Sequence, residues 1–204
     1  MMQNNDTTSS RTAEITRATA ETDIRLTLSL DGTGKADIHT GIGFFDHMLD
    51  AFGRHGLFDL TVRAQGDVDV DAHHTVEDTG IVLGQAFSTA LGDKRGITRF
   101  GSQFVPMDEA LVLAACDVSG RGQLHYDVAL PIEIIGTFDT TLAKEFFIAL
   151  AANAGVTLHV RSFSGENAHH LIEAAFKAAG RALSAACALN PRIEGVLPST
   201  KGTL

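Results

Sequence analysis

The sequence predicts an α+β fold made by internal duplication, with two similar halves in which strands alternate with helices. Three observations predict it. The apolar pattern switches between a period of about 2 and a period of about 3.6 residues, in the same order, twice along the chain. Glu145 and Arg161 repeat His47 and Arg63 at a spacing of 98 residues. The tract His73-His-Thr-Val-Glu77 returns as His169-His-Leu-Ile-Glu173 at a spacing of 96, so the second half is two loop residues shorter.

The elements follow in order. Ile24 to Leu30 (IRLTLSL) alternates apolar and polar side chains, the period of a half-buried strand, and Asp31 to Gly34 (DGTG) supplies turn chemistry. Phe44 to Arg54 reads as a helix, Leu57 to Ala64 as a strand, and His73 to Leu91 as a long helix entered from the acidic stretch Asp67 to Asp71. In the second half, Leu111 to Val118 and Leu124 to Leu130 read as strands and Thr140 to Asn153 as a helix. Val156 to Phe163 alternates as a strand, and Ala168 to Leu189 is an Ala-rich helix stopped before Pro191. The expected organisation is a disordered tail over 1–12, half-repeats over 13–106 and 107–190 forming one compact unit, and a C-terminal tail over 191–204.

Composition narrows the function classes. A net charge of −9 speaks against a nucleic-acid or anionic-membrane binder, both of which need a basic face. No apolar run approaches the roughly 20 residues of a membrane span, and the polar start MMQNNDTTSS lacks the apolar centre of a signal peptide. Cys116 and Cys187 stand in apolar surroundings without C-x-x-C spacing, which predicts two buried thiols. The expected compartment is the cytoplasm.

The repeated HHxxE tract carries the chemistry. Residues four apart on a helix lie on one face, so His73 with Glu77, and His169 with Glu173, can each grip one ion. The adjacent His74 and His170 point about 100° away and can reach a neighbouring ion. If the two helices face each other across a pseudo-twofold axis, the ligand sets are His73, Glu77, His170 and His169, Glu173, His74. His47 and Glu145, equivalent in the repeat, would each add a fourth ligand. Imidazole and carboxylate without thiolate suit Mn, Fe, Co, Ni or Zn, and four ligands leave about two octahedral positions open for catalysis. His159, on an alternating strand, reads as structural.

Basic residues form a second constellation: Arg95, Arg99, Arg121, Lys177 and Lys201. Pro198-Ser-Thr-Lys-Gly202 joins hydroxyls, a cation and a permissive backbone, which is what a phosphate monoester needs. Glu21, just before a strand, reads on these grounds as an exposed carboxylate. A dinuclear metallohydrolase acting on a phosphoester fits metals and a basic pocket equally well. A ferritin-like metal store fits less, because such sites use Glu-x-x-His, the reverse order, on four helices.

Seven blocks carry a resemblance over nearly the whole chain, from about Ala13 to Leu204. They are Ala20-Glu-Thr-Asp-Ile24, Thr40-Gly-Ile-Gly-Phe-Phe-Asp-His-Met-Leu49, His73-His-Thr-Val-Glu-Asp78, Gly92-Asp-Lys-Arg-Gly96, Asp117-Val-Ser-Gly-Arg121, Gly165-Glu-Asn-Ala-His-His170 and Pro198-Ser-Thr-Lys-Gly202. Together they resemble the imidazoleglycerol-phosphate dehydratase family of histidine biosynthesis. The resemblance implies that each half has a β-sheet and two α-helices, with the helices packed between the two sheets. It implies large homo-oligomers of about 24 subunits, built from trimers, with Mn²⁺ sites at subunit interfaces. One ion would take His47, His74, His169 and Glu173, the other His73, Glu77, Glu145 and His170. Many relatives carry His where this chain has Glu145.

The same resemblance makes Glu21 the acid/base residue and lets Arg99, Arg121, Lys177, Ser199, Thr200 and Lys201 hold the substrate, with His55 lining its pocket. The implied reaction is loss of water from imidazole glycerol phosphate, giving imidazole acetol phosphate. No carbonyl flanks the C–H to be broken, so the electrons that expel the hydroxyl must come from the ring. Two Mn²⁺ ions, one per ring nitrogen, would favour a di-manganese-bound imidazolate.

Overall fold

The computed structural model describes residues 11–204. The expected disorder of the first ten residues lies outside that range. Arg11 and Thr12, assigned above to the tail, belong to the fold: Arg11 forms an ion pair with Asp31 and donates to the Cys187 carbonyl, and a strand starts at Thr12.

The first sheet contains β1 (Thr12–Ala18), β2 (Thr22–Ser29), β3 (Ala36–His39) and β4 (Asp59–Gly66), in the spatial order β1-β2-β4-β3. The second contains β5 (Phe100–Met107), β6 (Ala110–Asp117), β7 (Gln123–Asp127) and, after the short hairpin β8 (Ile134–Ile135) and β9 (Phe138–Asp139), β10 (Thr157–Ser164). Its order is β5-β6-β10-β7. Neighbours are antiparallel except β3/β4 and β7/β10, which are parallel. The two sheets thus share one topology, which bears out the duplication. Arg63 on β4 pairs with Asp37 on β3, and Arg161 on β10 with Asp127 on β7, so the repeated arginines tie equivalent strands together.

The four helices are α1 (Gly43–Gly56), α2 (His73–Leu91), α3 (Leu142–Ala154) and α4 (Ala168–Cys187). Alternation on β2 turns Ile24, Leu26 and Leu28 inward onto α2, while α4 covers β5 and β6. Across the middle, α2 packs on α3 and α4 on α1, so the helices fill the space between the sheets. Glycines permit these close crossings. A Cβ on Gly84 would stand 2.7 Å from the Leu150 carbonyl oxygen, and one on Gly180 would stand 2.4 Å from that of Phe52. Gly84 and Gly180, like Phe52 and Leu150, are repeat equivalents, so the pseudo-symmetry extends to the packing contact. Phe45, Phe146 and Phe176 meet at the centre, the last two stacked at 4.9 Å. Cys116 and Cys187 are free and buried, and burial pushes both thiols up to about 12.

Several boundaries differ from expectation. α1 continues to Gly56 and is closed by Leu57 in the left-handed region (φ 59°), so β4 starts at Asp59 rather than Leu57. α3 starts at Leu142, α4 ends at Cys187, and β7 stops at Asp127. Besides the short β8–β9 hairpin, three strands were not anticipated. β3 has four residues, β1 lies at a sheet edge with Ala13 as its one buried residue, and β5 turns its phenylalanines outward. Because β5 belongs to the second sheet, the seam between halves falls before Phe100 rather than after residue 106.

Candidate active site

The N-terminal turns of α1, α2 and α4 present the repeated histidines, and each turn is fixed by a short polar side chain. Asp46 accepts from the Thr40 N–H at 2.8 Å, Asp71 from the His73 N–H at 2.7 Å, and Asn167 from the His170 N–H at 3.2 Å. On the α1/α4 pair, Glu173 Oε2 stands 3.3 Å from His47 Nε2 and 3.0 Å from His169 Nε2. These three groups can offer donor atoms all within 4.8 Å of one another, among the described residues the one such group of three or more. Glu173 is buried, and its other oxygen accepts from Lys177 Nζ at 2.7 Å. Burial acts to raise its pKa, but Lys177 and the two imidazoles outweigh it and keep the carboxyl below its ordinary value.

The equivalent place on the α2/α3 pair is looser. His73 Nε2 lies 3.8 Å from Glu77 Oε2, and Glu145, half-buried on α3, is not drawn into a group with them. Adjoining clefts of about 380 and 420 Å³ open beside His73 and Glu145 and share Thr141.

The crossed ligand sets are not made within one chain. Their premise was that the two HHxxE helices face each other, whereas α2 packs on α3 and α4 on α1. His74 therefore stands apart from the Glu173 cluster, with Nδ1 3.0 Å from Asp67 and Nε2 3.8 Å from Glu21. His170 likewise has Nδ1 2.7 Å from Glu109 and Nε2 3.7 Å from Asp108. Hydrogen bonding to Asp67 and to Glu109 raises the pKa of His74 and His170 respectively. The His170 bond, with a backbone N–H bond from Asn167, holds the Glu109 carboxyl down at about 2. In both histidines a carboxylate engages Nδ1, the usual support of an imidazole ligand, while a second carboxylate stands 3.7–3.8 Å from Nε2.

The expected phosphate holders divide into two places. Arg99 is clamped by Asp117 at 2.7 and 3.2 Å and donates to the Pro198 carbonyl at 2.7 Å, which ties the PSTKG segment to the Asp117–Arg121 loop. Arg121 is exposed there, and Ser199 Oγ accepts from the Lys201 N–H at 3.2 Å. Thr200 and Lys201 are exposed. Lys177 instead serves Glu173, beside His55, whose pKa is lowered by burial and then by Lys177 and Arg181. Sequence reasoning missed Asp67, Glu109 and Asp117 as partners. Asp67 lay in the acidic stretch already noted, but Glu109 becomes visible only through strand register.

The profile of the family described as imidazoleglycerol-phosphate dehydratase matches residues 40–183. The chain is 63% identical over 195 residues to the imidazoleglycerol-phosphate dehydratase of Acidiphilium cryptum, covering 96% of this chain and all of that protein. The chain belongs to the imidazoleglycerol-phosphate dehydratase family. It is a hydro-lyase of histidine biosynthesis. The dehydratase of Acetivibrio thermocellus is 60% identical over 194 residues, covering 95% of this chain and 99% of that one. Among solved structures, the dehydratase of Staphylococcus aureus superposes with a TM-score of 0.80 at 40% identity, over 88% of this chain and 99% of that chain. That of Pyrococcus furiosus gives 0.80 at 40% identity, over 93% and 100%.

Proposed function

We propose that this dehydratase converts imidazole glycerol phosphate to imidazole acetol phosphate and water at a site that takes two Mn²⁺ ions. The observation that carries the reading is the preassembled His47–His169–Glu173 cluster, built on a buried carboxylate, in a chain of this family. Two imidazole nitrogens and a carboxylate oxygen, without thiolate, fit a divalent first-row ion. His73, Glu77 and Glu145 form the second set. His74 and His170, which join no ligand group of their own chain among the described residues, complete the sites of neighbouring copies. When bound, the ions supply Lewis acidity that lowers the pKa of the substrate's ring N–H.

The remaining work falls to side chains. Glu21, exposed on the β1–β2 hairpin beside His74, moves the proton of the glycerol chain. Arg121, Ser199, Thr200 and Lys201 hold the phosphate, and Arg99 orients their loops from behind. Lys177 keeps Glu173 ionised, and His55 lines the pocket wall next to it. The outer face of the second sheet exposes Phe100, Phe104 and Phe163, where the first has Thr12, Thr16 and Gln65. An apolar sheet face of this kind supports assembly of copies, by family likeness about 24 built from trimers, working in the cytoplasm. No helix among the described residues is long and apolar enough to cross a membrane.

The test couples metal content with product analysis. Activity is expected to vanish in chelator and return with Mn²⁺, with a ketone product that keeps its phosphate. Release of inorganic phosphate instead would establish the metallohydrolase. Glu21→Gln is expected to keep metal and assembly while losing turnover by a factor of about 10² or more. Near-normal turnover in that variant would remove Glu21 from the reaction.

A further inference from the structure

Strand register identifies a counterpart of Glu21. Val62 and Val160 are repeat equivalents, and they pair with Leu26 and Ala114 respectively. Leu26 and Ala114 therefore correspond, and the same step along the chain carries Glu21 onto Glu109. Each glutamate sits on the hairpin joining the first two strands of its sheet, and each faces the second histidine of its half. They are held differently. Glu21 approaches the Nε2 side of His74 at 3.8 Å, because Asp67 already occupies Nδ1 at 3.0 Å. The residue equivalent to Asp67 is Gly165, which has no side chain to offer (φ 135°). In the second half the hairpin carboxylate takes that place. Glu109 Oε2 lies 2.7 Å from His170 Nδ1, and Oε1 accepts from the N–H groups of Asn167 at 3.0 Å and Glu166 at 3.3 Å.

We propose that Glu109 is a positioning residue of the active site: it accepts the Nδ1–H of His170, fixes the ring with its lone pair on Nε2, and leaves that nitrogen, which has Asp108 at 3.7 Å, to bind a divalent cation. The inference rests on the metal reading above. It also explains how a duplicated carboxylate acquired two duties. With Asp67 present, Glu21 is released from supporting an imidazole and is available to substrate. With glycine at 165, Glu109 is bound to the α4 N-terminus and cannot leave.

Glu109→Gln separates positioning from mere loop anchoring. The two backbone N–H groups retain the amide oxygen, so the amide N–H₂ must face Nδ1. The ring then accepts at Nδ1 and carries its proton on Nε2, where a cation cannot bind. The expected result is unchanged thermal melting in chelator and Mn²⁺ affinity, by calorimetric titration, weakened about 10–100-fold. Glu109→Ala should lose both. If Glu109→Gln binds Mn²⁺ as tightly as the unaltered chain, Glu109 only anchors the loop and the proposal fails. A second measurement needs no variant: in the metal-free protein, ¹⁵N shifts of His170, taken at a pH where its ring is neutral, should report protonated Nδ1 and unprotonated Nε2, and the opposite tautomer overturns the assignment. If the unaltered chain takes up no Mn²⁺, the metal reading itself falls, an outcome distinct from a variant that binds normally.

Discussion

Lys177→Met distinguishes the two roles that sequence and structure give this lysine. Its ammonium is 2.7 Å from Glu173 Oε1, and the two side chains are 19% and 9% exposed. Removing one member of a buried ion pair costs about 3–5 kcal/mol, because the other charge is left uncompensated. His47 and His169 remain within hydrogen-bonding distance of Oε2, so the lower end, about 3 kcal/mol, is expected in metal-free protein. For a chain of this length, that corresponds to a melting temperature about 6–12 °C lower. The sign with pH follows from Glu173. Its folded pKa is depressed, so its stabilisation is present above the unfolded value of 4.5 and is lost as pH falls through the folded value. Without Lys177 the depression shrinks, and the variant should lose stability earlier on acidification. A divalent cation at the cluster replaces the missing charge, so Mn²⁺ should restore most of the melting temperature. Thermal melts by circular dichroism, in chelator and in Mn²⁺ across pH 4.5–8, provide the assay. A lysine that only grips phosphate predicts an unaltered metal-free melt and a raised KM, and that pair of results would refute the reasoning.

Two further perturbations test the packing and the histidines. Gly180→Ala and Gly84→Ala each push a Cβ into a backbone carbonyl of the partner helix, at 2.4 and 2.7 Å, and each is expected to cost about 1–3 kcal/mol by denaturant unfolding. In metal-free protein, His74 and His170 should titrate above 6.5 and His55 and His159 below it, which NMR titration would show. The raised pair stabilises the fold fully below the unfolded pKa and loses that contribution as pH rises through the folded value. Mn²⁺ competes with the same protons, so affinity should increase over that interval.

How much was legible depended on how many independent constraints each residue obeys. The HHxxE helices, His47 and the strands β2, β4, β6 and β10 stood out because a buried, half-apolar element repeats its pattern at the helical or strand period. β5 did not, since its exposed face carries Phe100 and Phe104 while its inner side carries Gly101 and Gln103, which inverts the expected pattern. Helix geometry placed His169 beside Glu173, and the two stand 3.0 Å apart. The crossed assignment of His74 and His170 required knowing which helices pack together, and short local patterns do not encode that. The Lys177–Glu173 pair was not anticipated for a related reason: the two lie one helical turn apart, but only the burial of Glu173 makes the pairing decisive.

The duplication also explains why the two candidate metal sets are prepared differently. Three groups correspond in each half: His47, His169, Glu173 and Glu145, His73, Glu77. The first set carries one carboxylate, with Lys177 beside it. The second carries two, and the position equivalent to Lys177 is Ile81, which can neutralise neither. Two partly exposed carboxylates without a cation repel each other and remain hydrated. The 3.8 Å separation of His73 from Glu77, and the absence of Glu145 from any close group, follow from that charge balance. On the proposed metal reading, Lys177 holds the Glu173 cluster together in metal-free protein, whereas the Glu77 set would need the metal's own charge to gather it. Greater negative charge in the second set also favours a harder, oxygen-preferring ion there. On the metal reading proposed above, the two sites are expected to fill sequentially, the His47–His169–Glu173 site first, which calorimetric titration with Mn²⁺ would show as two separable steps.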